Sequence, residues 1–389
     1  MAKRLGSILG VAALMSGAAP FVATAVAADK APAVIPAVIN AGPIQNRSIG
    51  YVMTTEYKAI YDTPDGKKEC PGGLNEGPRE QFKILFPEKP GVKYPIVDTQ
   101  LEREGDIWWP KKEERIPYQY AVGNTSIGLN LDDKVGPNDF TSPDGVKGID
   151  NQLQRAWGCV PNYRSSSYNL GAFNNWRKYL YNIVVIELTD VDSLENDDDV
   201  TLTTYRGLDR VMTDATGQQY LGAGTQRPDM RWGKAFISKF HGKIVNGVLT
   251  TEGSDYVMPS AGNGRSIADI RYYKTRWQLA LTPDHAEGMM GGYMDVDDWK
   301  IATNTQRSTH HQAYGAASTA SIYRAMRKMA DYKPDPDGGE NHAISMALKV
   351  RLTQVFIKHP DSAVTQGTAK TPAKAAAISS ETKVAASQK

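Results

Sequence analysis

The residues best equipped for acid–base chemistry lie close together: His310 and His311, flanked by Arg307 and Tyr314. On a helix His310 and Tyr314 share a face, so one can act as base and the other as acid in a polysaccharide lyase or a metal-assisted hydrolase. Adjacent histidines diverge by about 100° on a helix and point to opposite faces of a strand, so joint binding of one metal is awkward. A loop or helix start, with these side chains bonding the backbone, is the competing reading.

Acidic residues form a second constellation. Asp190, Asp192, Glu195, Asp197, Asp198 and Asp199 crowd one short stretch between two expected strands. They repel one another unless water or a cation intervenes. Calcium takes about 6–8 oxygen ligands, which makes this loop a candidate calcium site even without the glycine and final glutamate of an EF-hand. Asp335, Asp337 and Glu340 form a second candidate, and Asp295, Asp297 and Asp298 a third. A solvated acidic turn explains each equally simply.

Recognition without chemistry has its own candidates. Asp150, Asn151 and Gln152 follow Gly148 and offer acceptors and donors to sugar hydroxyls or to a cation, or else stabilise a turn. Trp108 and Trp109 can stack on sugar rings or serve as core anchors. No nucleophile elbow, phosphate loop, HExxH pair or dinucleotide fingerprint occurs, so no nucleotide cofactor is expected. The formal charge of +2, from 45 basic and 43 acidic residues, gives no electrostatic case for nucleic acid.

The ends of the chain suggest export. Lys3 and Arg4 precede an uncharged apolar stretch that closes on Ala25-Val26-Ala27, the order a signal peptidase requires. Residues 1–27 therefore read as a signal peptide rather than a transmembrane anchor, and 28–48 as an Ala/Pro-rich linker. Residues 361–389 lack aromatic side chains and read as a disordered tail. Export to the periplasm or beyond fits Cys70 and Cys159, which sit in no metal or redox spacing and read as one disulfide. A mean hydropathy of −0.44 fits a soluble product.

Residues 49–360 form the expected body, with room for two subdomains divided near 165–180. Its pattern is that of strands. Tyr181–Leu188 is an apolar run, Val200–Tyr205 alternates, and Leu348, Val350 and Leu352 alternate with Lys349, Arg351 and Thr353. Asn246-Gly247 between aliphatic flanks predicts a type I′ hairpin. In Asp269–Leu281, strict alternation places Arg271, Tyr273, Thr275, Trp277, Leu279 and Leu281 on one side. Pro-Asp-Gly at Pro64, Pro143 and Pro336 marks turns. Ser318–Tyr332 is the one expected helix. The sum is a mainly β chain, an antiparallel sandwich or jelly roll with a late α-helix.

Four strings carry a resemblance: Gly148-x-Asp150-Asn151-Gln152 leading to Gly158-Cys159; Asn196 to Val200; Gly291-Gly292-Tyr293-x-Asp295-Val296; and Ser308 to Gly315. Together they resemble a family of proteins exported by Gram-negative bacteria, over roughly residues 50 to 360. The resemblance implies export and a single coherent body, and it brings no activity with it. The function expected from the residues is a non-catalytic binder of an extracellular glycan or small ligand, with calcium as a stabiliser. The alternatives are the lyase or hydrolase above and a structural envelope component.

Overall fold

The computed structural model describes residues 42–75, 88–93, 101–104, 107–110, 118–164, 183–259, 269–306 and 319–360. The chain is mainly β and antiparallel, but its main sheet is a closed barrel rather than a sandwich or jelly roll. Eight strands make the ring. They are β1 (Ser48–Lys58), β6 (Val184–Thr189), β7 (Asp197–Arg206), β9 (Ser238–Val245), β10 (Val248–Thr251), β12 (Asp269–Leu281), β13 (His285–Asp295) and β14 (Ala343–Ile357). Closure comes from β1, which pairs with β6 along one edge and with β14 along the other. Alternation says only that one face of a strand is buried. That is equally true of a sandwich and a barrel, so the choice waited on this long-range pairing.

Two short strands lengthen the wall. β11 (Ser254–Pro259) continues along the β12 edge that β10 occupies, and β8 (Gly224–Gln226) runs parallel to the end of β14. Two small hairpins lie apart from the barrel sheet, β2 (Leu101–Glu104) with β3 (Ile107–Pro110) and β4 (Phe140–Thr141) with β5 (Lys147–Ile149). The Asn246-Gly247 hairpin joins β9 to β10 with φ of 50° and 78°, as the type I′ turn needs. Each Pro-Asp-Gly forms a turn closed by the glycine N–H, which donates to Thr63, Ser142 or Asp335 three residues earlier.

Strict alternation along β12 is broken. Tyr273 to Arg276 is a bulge centred on Lys274, whose φ is 48°. The extra residue reverses the facing of everything before it. Ile270 and Tyr272 consequently join Trp277, Leu279 and Leu281 in the core, while Arg271 and Tyr273 face out. Further bulges in β1 and β7 bend the wall toward closure.

The barrel interior is filled by side chains, among them Tyr51, Met53, Ile186, Leu202, Phe240, Trp277, Met290 and Leu348. Eight strands leave about that much room. Lys239, His241, Lys243, Glu287, Lys349 and Arg351 point outward and are exposed. This polarity is the inverse of a transmembrane barrel. Among the described residues no helix is long and apolar enough to cross a membrane.

Three helices add to the same core: α1 (Leu153–Trp157), α2 (Val296–Gln306) and α3 (Thr319–Met329). α3 is the expected late helix, and its Ile322, Ala325 and Met326 are buried at helical spacing. α2 starts from Asp295, whose Oδ1 accepts the N–H groups of Asp297 and Asp298 at 3.0 and 2.9 Å. That cap explains why an acidic run opens a helix.

Cys70 and Cys159 form a disulfide, with Cα atoms 5.8 Å apart. Beside it Arg164 makes a buried ion pair with Glu69 and donates to the carbonyls of Gly158 and Thr63, both at 2.7 Å. Burial works against the Glu69 charge, but hydrogen bonds from Thr63 and Arg164 outweigh it and hold the carboxyl down to about 2.

Candidate functional site

The outer face of β12, β13 and β14 is covered by the stretch from Leu129 to Asp150. Leu129 and Leu131 pack on Tyr293 and Ala343, with Tyr273, Met289 and Tyr332 around them. Gly291 makes this contact possible, because a Cβ there would lie 3.2 Å from methyls of both leucines. Gly148 serves the same stretch: its φ is +80°, and a Cβ would meet Asn130 and Lys134 at 2.6 Å. Arg276 on β12 pins the stretch from outside by pairing with Asp133. Gly291→Val is expected to lift both leucines and cost roughly 1–3 kcal/mol. Denaturant unfolding of the variant checks this, and an unchanged midpoint would refute the close packing.

Where this cover meets the end of α3, a cleft of about 470 Å³ opens, lined by Asp132, Asn138, Asp139, Asp150, Gln152 and Tyr293 together with Arg155, Lys328, Asp331 and Asn341. Asp150 is 8% exposed, and its Oδ2 accepts the Leu131 N–H at 2.6 Å. Gln152 is also 8% exposed and donates through Nε2 to the Asn138 carbonyl at 2.8 Å. Its own N–H reaches Ser345 Oγ at 2.8 Å, and that hydroxyl donates on to Asp331 Oδ2 at 2.6 Å. Loop, barrel wall and helix end are thereby joined through one serine. Tyr293 forms part of the wall, its ring stacked on Tyr332 at 4.4 Å.

The carboxyls here are perturbed. Asp150 is pushed up to about 6, first by burial and then by Asp132, Asp139 and Asp331, against the opposing Leu131 hydrogen bond. Asp331 also rises to about 6. Its residue surface is open at the rim, yet dense protein around the carboxyl and the charge of Asp139 outweigh its bonds to Ser345. Burial and the surrounding carboxylates raise Tyr293, which stays a phenol.

Asp150 therefore limits stability near neutral pH. The folded state keeps its proton up to about pH 6, whereas the unfolded chain releases it near 3.8. Stability falls as pH rises through that window and levels above it. Asp150→Asn is expected to be more stable than wild type at pH 7.5 by about 1–3 kcal/mol, a gain that vanishes below pH 4. Unfolding curves at the two pH values measure it, and a variant weaker at both would overturn the assignment.

Of the sequence candidates, the fold brings Asp150 and Gln152 to the cleft. Asn151 goes elsewhere: it is 1% exposed and its amide ties together Ala59, Ser126 and Ile127. Asp132, Asp139, Asp331 and Ser345 were not singled out in the sequence, and Tyr293 stood out only within the string that carries the resemblance. A serine or tyrosine on an alternating strand carries no local mark of the loop that will cover it.

The acidic stretches lie apart. Asp190, Asp192, Asp197, Asp198 and Asp199 line a shallow surface pocket of about 550 Å³ with Asn196 and Arg47. The Arg47 guanidinium pairs with Asp192 at 3.1 Å and donates to the Asp190 carbonyl. Asp197 accepts the N–H groups of Asp192, Ser193 and Asp199. These bonds outweigh burial and lower its carboxyl below the usual range. The Glu195 N–H bonds Ser193 Oγ within the same loop. Asp335 closes its turn on the Asp337 N–H, while Glu340 lies 3.9 Å from Arg327. Asp297 accepts from Tyr323, and Asp298 is held by Arg271. Among the described residues, no three His, Cys, Asp or Glu side chains converge as ligands for one ion.

Arg307, His310, His311 and Tyr314 lie outside the described residues, as do the signal segment, the tail and the suggested break near 165–180. Trp108 and Trp109 fall on strand β3. The geometry defines a class: a closed antiparallel barrel, filled inside, with a polar carboxylate- and amide-lined cleft on its outer wall. No family model, no curated protein and no solved structure matches the chain.

Proposed function

We propose that this is an exported ligand-binding protein of the periplasm or cell exterior, and that its ligand, a glycan or another polyhydroxylated molecule, sits in the outer-wall cleft. One observation carries the reading. Asp150 and Gln152 are each more than nine-tenths buried, yet both line an open cleft and each keeps an acceptor oxygen unused by the protein. Those oxygens open onto the cleft from side chains that packing holds in place, so a ligand there meets fixed acceptors at little ordering cost. A filled barrel interior directs the search to the wall rather than the lumen.

A glycan array probed with the mature protein, followed by titration of the best hit, tests this. Gln152→Ala is expected to weaken binding about tenfold. Undiminished binding after that change would move the site elsewhere, with Trp108 and Trp109 the next pair to replace. Export is tested by the mass of the processed product, expected to begin at Ala28.

Catalysis is the second reading, and Asp150 favours it, since a carboxyl at about 6 suits general-acid work. Cleavage of a polysaccharide by the wild type but not by Asp150→Asn would reassign the binder as an enzyme.

A further inference from the structure

We propose that the outer-wall cleft selects a ligand carrying an organic ammonium group, as an amino sugar does; this rests on the reading of the cleft as a ligand site. The charge arrangement argues for it. Asp132, Asp139, Asp150 and Asp331 all line the cleft, and none has an ion-pair partner among the described residues. The two cations in the lining are engaged with aromatic rings. Arg155 lies over Phe140 at 4.6 Å and donates to the Gly123 carbonyl, and Lys328 lies over Tyr120 at 4.7 Å. The cleft therefore holds more negative charge than its own residues neutralise.

Hydrogen bonding points the same way. Asp150 has used Oδ2 on Leu131, and Oδ1 receives no donor from the protein. Gln152 has used its Nε2 on Asn138, and Oε1 receives none. Asn341 likewise donates to the Ala330 carbonyl at 3.2 Å. Asp150 Oδ1, Gln152 Oε1 and the remaining carboxylate oxygens of Asp132 and Asp139 are acceptors without a protein donor, and an ammonium flanked by hydroxyls supplies several donors at once. A bare metal ion fits less well. No three of these carboxylates converge on one point, and about 470 Å³ is the size of a small organic ligand's site.

The groups facing Asp150 are Asp132 and Asp139 from the covering stretch, Asp331 after α3, Tyr293 from β13, and Arg155 and Lys328 from the helices. Asp150 and Asp331 are both pushed up to about 6, so an ammonium meets more negative charge at pH 7.5 than at pH 5.

Calorimetric titration of the whole mature protein with three probes tests this: a chitosan tetrasaccharide, its fully N-acetylated counterpart, and putrescine. At pH 6.5, where its amines still carry protons and the cleft carboxyls are largely ionised, the chitosan is expected to bind about tenfold or more tightly than the acetylated form, and putrescine, charged throughout, is expected to weaken from pH 7.5 to pH 5. Asp150→Asn and Asp139→Asn are each expected to lose about tenfold for chitosan, whereas Glu287→Gln, exposed on the barrel and outside the cleft lining, loses nothing. Thermal melts of each variant confirm that it is folded. Equal affinity for the amine and acetylated sugars would overturn the ammonium proposal and leave glycan binding standing. Binding of putrescine without either sugar would keep the ammonium and overturn the glycan. Silence from all three probes would overturn both.

Discussion

Arg164→Ala is expected to lower the unfolding free energy by about 3–5 kcal/mol, because it strands a buried charge rather than removing a surface contact. The Arg164 and Glu69 side chains are 6% and 2% exposed. Glu69 keeps its bonds from the Thr63 N–H and hydroxyl but loses its counter-charge, and the Gly158 and Thr63 carbonyls lose their donor. Equilibrium denaturation measures the loss. A cost below about 1 kcal/mol would class the pair with surface bridges. The double replacement Glu69→Gln with Arg164→Met is expected to recover most of the loss, since it removes both charges together. The pH dependence adds a second readout. With its carboxyl held at about 2 in the fold against an ordinary 4.5, Glu69 contributes fully above pH 4.5, and that contribution is lost as pH falls toward 2. Removing the carboxyl with Glu69→Gln should flatten this part of the acid limb.

Replacing both cysteines with alanine is expected to cost roughly 4–5 kcal/mol on the chain-entropy account, the bridge spanning 89 residues. The same change should weaken ligand binding. The bridge anchors the far end of the short segment that carries Asp150, Gln152 and α1, and the Asn75 side chain ties the Cys159 carbonyl to the Gln119 backbone. Denaturation of the variant gives the stability, and titration gives the affinity. A much smaller stability loss would mean that the unfolded chain is already compact around this region. Unchanged affinity would mean that the cleft wall is held by the Gln152–Ser345–Asp331 chain alone.

The strands and turns were legible because their signals are local. Asn246-Gly247 needs only its own two φ angles, and Pro-Asp-Gly needs only four residues to close a turn. The alternation of Leu348, Val350 and Leu352 survives in β14. Strict alternation failed in Asp269–Leu281, because a bulge at Lys274 is selected by partners on both sides of β12. The helix at Val296 went unread for a related reason. Its Asp295, Asp297 and Asp298 read as ion ligands in the sequence; in the fold Asp295 caps the helix, Asp297 accepts from Tyr323 and Asp298 pairs with Arg271.

The cleft divides in the same way. Gly148, Asp150 and Gln152 stood out as a dense polar string, whereas Asp331, Tyr293 and Ser345 are separated from it by well over a hundred residues. Sequence by itself determined the strand content, the turn positions, the late helix and the pairing of the only two cysteines, since each depends on nearby residues or on a count. Tertiary structure alone decided that the sheet closes, which face of β12 is buried, and that four scattered carboxylates line one cleft. The reason is that closure and cleft formation depend on free energies of pairing between distant segments, for which local residue patterns carry no record.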